Sequence, residues 1–214
     1  MQQDHDQHHD HDQHHDHDHP AAAASDPAHD HGDGTPVADA SVRIARPTDV
    51  PAVGLVQATV WRDAYAATLS PEVLEQFEGP AFARVWRASL ATPPSPRHEL
   101  LVACAGEQVV GFAAVGPSAD ADADDAQGEL LALGVHPAAR RAGHGSLLLN
   151  AAVDTLRGRR FSRLTGWVLT GDEATRAFLV ASGLSPDGAY RDRVVDPDGS
   201  VVREVRLVAD LAGA

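Results

Sequence analysis

The 214-residue chain contains no lysine and a single cysteine, and each shortage excludes a class of site. Without lysine the nucleotide-triphosphate loop G-x-x-x-x-G-K-[ST] cannot form, and the dinucleotide fingerprint G-x-G-x-x-G is absent as well. The one cysteine, Cys104, excludes a disulfide within the chain. A chain without disulfides is typical of a reducing compartment, so we expect a cytoplasmic protein.

Long apolar runs and positive charge are also scarce. No stretch reaches the roughly 20 apolar residues of a membrane-spanning helix, and the first residues lack the cationic start and apolar core of a secretory signal. The 17 arginines stand against 31 acidic residues, for a formal net charge of −14. Because the chain shows no basic stripe, we expect neither a membrane nor nucleic acid as its partner.

Histidine is concentrated in the first 40 residues, which hold ten of the 13 histidines together with ten Asp and no Arg. This segment cannot bury enough apolar surface to offset the entropy lost on ordering. We therefore predict a disordered tail over residues 1–40 and one folded domain over residues 41–214. Imidazole and carboxylate groups suit Zn²⁺, Ni²⁺ or Cu²⁺, so the tail is either a divalent-metal site or an inert solvated extension.

The folded segment alternates between strand and helix patterns, which predicts an α/β fold with helices on both faces of a sheet. Thr48 is a candidate N-cap for the first helix, and Gly79-Pro80 is expected to break the second helical region. Gly106-Glu107 is expected to join a hairpin, and residues 196–199 to form a turn between the last two strands. The predicted strands cover about 42–45, 98–105, 108–115, 130–135, 163–170, 189–195 and 201–209, and the predicted helices about 48–67, 71–90, 145–156 and 172–182.

One short stretch carries the strongest functional signal. An apolar run from Leu130 to Val135 is typical of a buried strand and ends at Pro137. The residues Arg140–Gly145 follow, and after them apolar residues recur at helical spacing. Free amides and the dipole at a helix start favour an anion, and small residues let a phosphate approach the backbone. The pattern therefore predicts binding of a phosphorylated ligand.

The sequence R-x-x-G-x-G between a strand and a helix resembles the acetyl-CoA pyrophosphate loop of the GNAT (Gcn5-related) N-acetyltransferase superfamily. Residues 161–184 are similar to the family's fifth strand and N-x-x-A-x-x-F-Y-x-x-x-G-F helix, with Phe178, Gly183 and Leu184 at the expected spacing. Residues 41–51 are similar to its opening strand, so the resemblance covers about residues 41–210. It implies a GNAT fold, a mixed central sheet of about six to seven strands flanked by about four helices.

The resemblance also implies how acetyl-CoA binds as a co-substrate. The loop would hold the pyrophosphate, the preceding strand would pair with the pantetheine arm like an added strand, and an amide near Val135 would polarise the thioester carbonyl. Asp172 replaces an Asn that contacts the same arm in the family, and it is equally suited as a helix N-cap. The implied residues are Leu133, Gly134, Val135, Arg140, Arg141, Ala142, Gly143, His144, Gly145, Ser146 and Asp172. No metal is expected to be required for catalysis.

Glu129 is the candidate general base. Strand alternation predicts that it lies on the same side as Leu131, Leu133 and Val135, and several family members carry a catalytic glutamate six residues before the position of Val135. A primary amine with a pKa of about 10.4 must lose a proton before it attacks, which needs a carboxylate directly or through water. The alternative is a solvated residue at the start of the strand.

Other candidate residues keep two interpretations. Leu179 stands where the family commonly has the tyrosine that protonates the departing thiolate, which leaves water, Tyr65, Tyr190 or Ser182 as the general acid. Trp61 and Tyr65 fall at i, i+4 of the first predicted helix and either line the acceptor site or face the core.

The two histidines that flank the loop, His136 and His144, are expected to be surface or capping residues rather than catalysts.

These features predict an N-acetyltransferase that moves acetyl from acetyl-CoA to a primary amine of an unidentified acceptor by direct attack. A covalent enzyme intermediate is not expected, because Cys104 lies in a predicted buried strand and no other nucleophile stands in the cleft. Two alternatives remain open. One is a different acyl group or a non-amine acceptor, and the other is a non-catalytic acetyl-CoA sensor or metal-binding protein with a GNAT body.

Overall fold

The computed structural model describes residues 40–195, 199 and 201–212. Residues 1–39 of the predicted tail lie outside these residues, as do residues 196–198 of the predicted turn. Ala40, predicted to belong to the tail, instead begins the first strand. The described residues form β1 (Ala40–Ile44), α1 (Val50–Tyr65), α2 (Pro71–Glu75), α3 (Gly79–Ala91), β2 (Glu99–Ala105), β3 (Gln108–Pro117), β4 (Gln127–Val135), α4 (His144–Gly158), β5 (Arg163–Leu169), α5 (Glu173–Ala181), β6 (Ser185–Val194) and β7 (Val201–Asp210).

The seven described strands form one mixed sheet in the order β1-β2-β3-β4-β5-β7-β6. All neighbouring strands are antiparallel except β4 and β5, which are parallel and connected through α4. The α/β prediction with six to seven strands is therefore confirmed. The described α-helices number five rather than about four, because the second helical region divides into α2 and α3.

The division of this helical region falls before Gly79-Pro80 rather than at it. Helix α3 begins at Gly79, so Pro80 lies in its first turn, where no amide hydrogen bond is lost. The closing strand β6 also begins earlier than predicted, at Ser185. Its pairing with β7 shifts register between Pro186 and Tyr190, around Gly188 with φ of 89°. This irregular start interrupts the alternating pattern by which a strand is recognised.

Each face of the sheet carries its own apolar cluster. On one face, Leu148 and Leu156 of α4 and Leu179 of α5 pack against strand residues such as Leu164 and Leu207. On the other face, Val53 and Val56 of α1 pack against Val102 and Phe112, with Trp86 of α3 at the edge of the cluster. We call these the α4 face and the α1 face.

Helices α1 and α3 approach each other closely at a glycine. A Cβ atom added to Gly54 would lie 2.4 Å from the carbonyl oxygen of Gly79 and 2.7 Å from the amide nitrogen of Ala83. Both of these atoms belong to the backbone, so they cannot move aside as a flexible side chain would. The absence of a side chain at Gly54 therefore sets the spacing of the two helices that cover the α1 face.

The N-cap residue of α1 is Asp49 rather than Thr48, so the predicted N-cap is wrong, and the Asp49 carboxylate accepts no hydrogen bond from the helix amides. Thr48 lies within a short 3-10 turn, Pro47–Asp49, that leads into α1. The Asp49 carboxylate accepts hydrogen bonds from the amide of Arg46 at 2.6 Å and from the Arg43 guanidinium at 2.6 and 2.9 Å. The Arg43 side chain, helped by the Arg46 amide, holds the pKa of Asp49 below its ordinary value.

Candidate active site

A cleft opens where the two parallel strands of the sheet separate. Strands β4 and β5 are paired from Gln127 and Arg163 as far as Leu130 and Gly166. Beyond these pairs β4 continues to Val135 and β5 to Leu169, without a further ladder pair between the two strands in the described part of the chain. The β5 side of the last five residues of β4 is therefore open to an added strand-like ligand.

A β-bulge in β4 lies at the point where the cleft opens. Val115 of β3 pairs with Leu130 and Ala114 pairs with Ala132, so Leu131 is the extra residue of β4. A bulge bends the strand and interrupts the alternation of side chains between the two faces. Leu131 is 44% exposed, unlike the buried residues before it.

The bulge changes the orientation predicted for Glu129. A Cβ atom on Gly128 would contact Leu156 on the α4 face, so the adjacent Glu129 lies on the α1 face. Leu133 and Val135 instead pack against the α4-face cluster. The prediction that Glu129 shares a side with these two residues is therefore wrong, because the extra residue in β4 reverses the alternation between them.

Glu129 is largely removed from water, with 6% of its surface exposed. The Ser118 hydroxyl donates a hydrogen bond of 3.1 Å to its Oε2 atom. Burial raises the pKa of Glu129 above its ordinary value, and the nearby Asp120 carboxylate raises it further, while the Ser118 hydrogen bond and the Arg191 charge partly oppose this rise. A carboxylate with a raised pKa is a stronger proton acceptor, which suits a general base. The alternative of a solvated residue at the strand start is wrong.

The loop before α4 leaves a row of amides without protein partners. Arg141 and Gly143 adopt left-handed conformations, with φ of 67° and 83°. Within the described residues, no side chain caps α4 and the amides of residues 141–146 donate no hydrogen bond to the protein. A left-handed non-glycine residue stores strain, which is typical of functional loops. The free amides and the helix dipole suit an anion, and the anion-binding role of the loop stays a prediction.

The two arginines of the loop differ in what they contact. Arg140 donates from Nε to the carbonyl of Val135 at 3.2 Å and forms an ion pair with Asp63 of α1 at 2.7 Å. It therefore ties the loop to the end of β4 and to α1. The neighbouring Arg141 is exposed, as are Ala142, Gly143 and Ser146.

Only one of the two flanking histidines behaves as predicted. His136 caps the short turn Pro137–Ala139, because its Nδ1 accepts a hydrogen bond from the Ala138 amide at 3.3 Å. His144 is neither exposed nor a cap, so that prediction is wrong. It is 4% exposed, and its buried Nδ1 finds no hydrogen-bond partner among the described residues. Its place as first residue of α4, one turn before the core residue Leu148, accounts for this burial.

Asp172 is the N-cap of α5, as one of its two interpretations predicted. Its Oδ1 accepts a hydrogen bond from the Thr175 amide at 3.0 Å. The second predicted role, a contact with the pantetheine arm, stays a prediction.

The candidates for a general acid differ mainly in exposure. Leu179 is 2% exposed within the α4-face core and has no proton to give. Tyr190 is 63% exposed, and the Ser182 hydroxyl donates to the Phe178 carbonyl one turn earlier in α5. Tyr65 is buried, and this burial raises the pKa of its phenol. Of these groups, Tyr65 alone combines a proton with a buried position on the α1 side.

Trp61 and Tyr65 belong to an aromatic cluster, which confirms one of their two interpretations. Trp61 makes edge-to-face contacts with Tyr65, Phe77 and Phe82, with ring centroids 6.3, 6.1 and 5.0 Å apart. Trp61 also lines a cavity beside β4 together with Trp86 and His98, two residues that the sequence did not single out. Their proximity arises from the packing of α3 and β2, which leaves no local signal in the sequence.

A network of charged side chains covers the α1 face of β5 and β7. Arg206 contacts Asp120 at 3.2 Å and Asp122 at 2.7 Å, both in the loop after β3. The indole Nε1 of Trp167 donates to Asp120 at 3.1 Å, and Arg191 lies over the same indole ring. The network holds the acidic loop against the sheet next to Glu129, and these pairings between distant segments have no local signal in the sequence.

Comparison with known families shows which family the chain belongs to. A family model described as the acetyltransferase (GNAT) family matches residues 60–183, which include β4, the loop and α4. The chain belongs to the acetyltransferase (GNAT) family.

Solved structures of other GNAT proteins share the fold at low sequence identity. The PaiA N-acetyltransferase from Thermoplasma acidophilum, solved in complex with coenzyme A, is 17% identical, with a TM-score of 0.63 over 80% of this chain and 99% of that chain. The ribosomal-protein-alanine N-acetyltransferase from Brucella melitensis is 23% identical, with a TM-score of 0.59 over 79% and 99% of the two chains. No curated protein sequence matches the chain significantly.

Two features of the described residues bear on the predicted partners. Among the described helices, none has the length and apolar character needed to cross a bilayer. Within the same residues, no group of three or more His, Cys, Asp or Glu side chains is placed to hold a metal ion. The cytoplasmic location and the metal-binding tail stay predictions.

Proposed function

We propose that this GNAT protein is an N-acetyltransferase that transfers the acetyl group of acetyl-CoA to a primary amine by direct attack. One observation carries the proposal. The cleft between β4 and β5 has the free amides of the loop on its α4 side, while the β4 bulge turns Glu129 to the α1 face. The two substrates would therefore meet from opposite faces of the sheet.

The loop and β4 supply the groups that would hold acetyl-CoA. The amides of residues 141–146 and the exposed Arg141 suit a pyrophosphate, since both offer hydrogen bonds to phosphate oxygens. The backbone of Leu133, Gly134 and Val135 suits an extended arm, because its β5 side lies in the open part of the cleft. When bound there, acetyl-CoA supplies an activated acyl group on a thiol leaving group.

Glu129 would take the proton that the substrate's ammonium group must lose before its nitrogen can attack the thioester. The Ser118 hydrogen bond to Oε2 uses only part of the acceptor capacity of the carboxylate, which can therefore take a proton directly or through one water. A departing thiol has an ordinary pKa of about 8.5, so it can leave as a thiolate without a dedicated acid. Tyr65 is the candidate donor within the described residues if one is required.

Calorimetric titration with acetyl-CoA tests the proposal. Gly145 lies in the first turn of α4, where an added Cβ would meet Phe178 only at an ordinary contact distance of 3.6 Å. We expect Gly145→Val to fold but to lose acetyl-CoA binding, because a branched side chain would occupy the space of the phosphate oxygens. Gly158→Val, at the last residue of the same helix with nothing within 4 Å of its Cβ, is the matched control and should bind like wild type.

Two outcomes separate the proposal from its alternatives. Unchanged affinity in a folded Gly145→Val protein would contradict the assignment of the loop. Tight acetyl-CoA binding without CoA release across a panel of amines would favour a sensor, for which the buried Leu179 in place of an acid is the supporting observation.

A further inference from the structure

A cavity of about 400 Å³ lies on the α1 face beside the β4 bulge. It is bounded by α1, α3, the segment after α3, and strands β2, β3 and β4. Trp61, Trp86, Leu90, Leu100 and Leu131 contribute to an apolar lining. A cavity of this volume, walled by indole and leucine side chains, suits a small apolar group.

Three polar groups in this lining already have partners inside the protein. The Gln57 Oε1 atom accepts a hydrogen bond of 2.6 Å from the Trp86 indole. Glu99 is the only acidic residue in the described lining, and it forms an ion pair with Arg159. The Nδ1 atom of His98 lies 2.9 Å from a serine hydroxyl. A ligand with a second positive charge would therefore find no unpaired carboxylate in the described lining to offset its desolvation.

The cavity ends next to the candidate base. Gly116 of β3 lies directly opposite Glu129 of β4, and opposite residues of an antiparallel pair project to the same side of the sheet. A Cβ atom on Gly116 would lie 2.5 Å from Cδ2 of His98, so the imidazole ring covers Gly116 on the side of Glu129. Leu131, in the cavity wall, follows Glu129 by two residues. An amine at Glu129 could therefore extend its substituent into the cavity.

We propose that the acceptor is a primary amine attached through a short linker to one compact apolar group, about the size of an aromatic ring, and that this group lies in the cavity. The proposal rests on the acetyltransferase function proposed above. Trp61 and Trp86 offer ring edges and faces to an aromatic group, while the lack of an unpaired carboxylate in the described lining disfavours polyamines. A free arylalkylamine and a peptide whose first residue is apolar share this chemistry.

Steady-state kinetics with matched amines tests the preference. We expect kcat/KM for 2-phenylethylamine to exceed that for ethanolamine and for putrescine by at least about tenfold, because one well-buried apolar group discriminates by about this factor or more. Phenylalanine amide and the tripeptide Phe-Gly-Gly distinguish a free amine from a peptide N-terminus as the source. Equal or greater efficiency with ethanolamine or putrescine would overturn the proposal and leave the acetyltransferase function standing.

A binding experiment tests the cavity independently of turnover. Two of the chain's three tryptophans line the cavity, so 2-phenylethylamine should change the intrinsic fluorescence. Ser89 of α3 also lines the cavity, and Ser89→Phe should fill part of it and weaken this binding at least tenfold. The adjacent exposed Ala88 provides the control, since Ala88→Phe adds the same ring outside the lining.

The two proposals fail in different ways. Binding of 2-phenylethylamine that is absent, or equal in the Ser89→Phe and Ala88→Phe proteins, would contradict the cavity assignment whether or not acetyl-CoA binds. Loss of the fluorescence change in Ser89→Phe alone would support the cavity, even in a protein that releases no CoA.

Discussion

Ser118 donates its hydroxyl hydrogen to Oε2 of Glu129 at 3.1 Å, and the same hydroxyl accepts a hydrogen bond from the amide of Asp120 at 3.3 Å. One side chain thus connects the candidate base to the acidic loop that follows β3. Arg206 holds that loop against the sheet through Asp120 and Asp122. The protonation of Glu129 is therefore coupled to how the loop is held.

Glu129→Gln should retain acetyl-CoA affinity and lower turnover by about 10²- to 10⁴-fold, because the substitution preserves shape and removes the proton acceptor. The loss should shrink at high pH, where the amine deprotonates in solution. For wild type, kcat/KM should fall as the pH drops through the pKa of Glu129. Because burial raises this pKa, the acidic limb of the pH profile should lie above pH 4.5, the ordinary pKa of a glutamate. Turnover by Glu129→Gln at the wild-type level near pH 7 would show that Glu129 is structural.

Ser118→Ala should move the acidic limb of the pH profile to higher pH. The Ser118 hydrogen bond stabilises the charged carboxylate and so lowers the pKa of Glu129, against the larger effect of burial. Ser118→Thr retains the hydroxyl and should keep the wild-type profile, which separates the hydrogen bond from a general disturbance of the loop. A profile that is the same in all three proteins would mean that Ser118 does not act through Glu129.

Much of the fold could be predicted from local patterns. The Gly106-Glu107 hairpin, the Asp172 cap and the position of a loop between β4 and α4 each depend on residues close in sequence, and the structure confirms all three. The predicted N-cap of α1 was wrong for a specific reason. Thr48 has the right side chain for a cap, but it lies inside the short 3-10 turn that the Asp49 carboxylate holds to the Arg43 guanidinium and the Arg46 amide.

The candidate site was harder to predict because its geometry depends on strand pairing. The side on which Glu129 lies follows from the bulge at Leu131, and a bulge appears only when the partner strand β3 is known. In the same way, His98 lies against Gly116, the residue opposite Glu129, because Gly116 has no side chain. Neither relationship has a signal within its own segment of sequence.

Gly54→Ala should lower the free energy of unfolding by about 1 to 3 kcal/mol, the usual cost of overpacking a close contact. The added Cβ would lie 2.4 Å from the Gly79 carbonyl oxygen, so α1 and α3 must separate. Gly158→Ala on α4 is the control, because no atom lies within 4 Å of its Cβ and alanine is the better helix former. Urea unfolding that gave the two variants equal stability would contradict this account of the α1–α3 contact.

Deletion of residues 1–38 should remove most Ni²⁺ or Zn²⁺ binding and leave acetyl-CoA affinity and turnover nearly unchanged. These residues hold ten of the chain's 13 histidines, whereas the described residues contain no group of three or more metal-ligating side chains placed to hold an ion.

Imidazole binds metal only when neutral, and its ordinary pKa is about 6.5, so metal binding by the full chain should weaken as the pH falls from about 7 to about 5. Calorimetric titration of both proteins with metal and with acetyl-CoA measures the two effects separately. We expect no catalytic role for the tail, since a preformed catalytic metal site needs a few ligands at fixed positions. Turnover that disappeared with the tail, or that required added zinc in the full chain, would instead make the tail part of the catalyst.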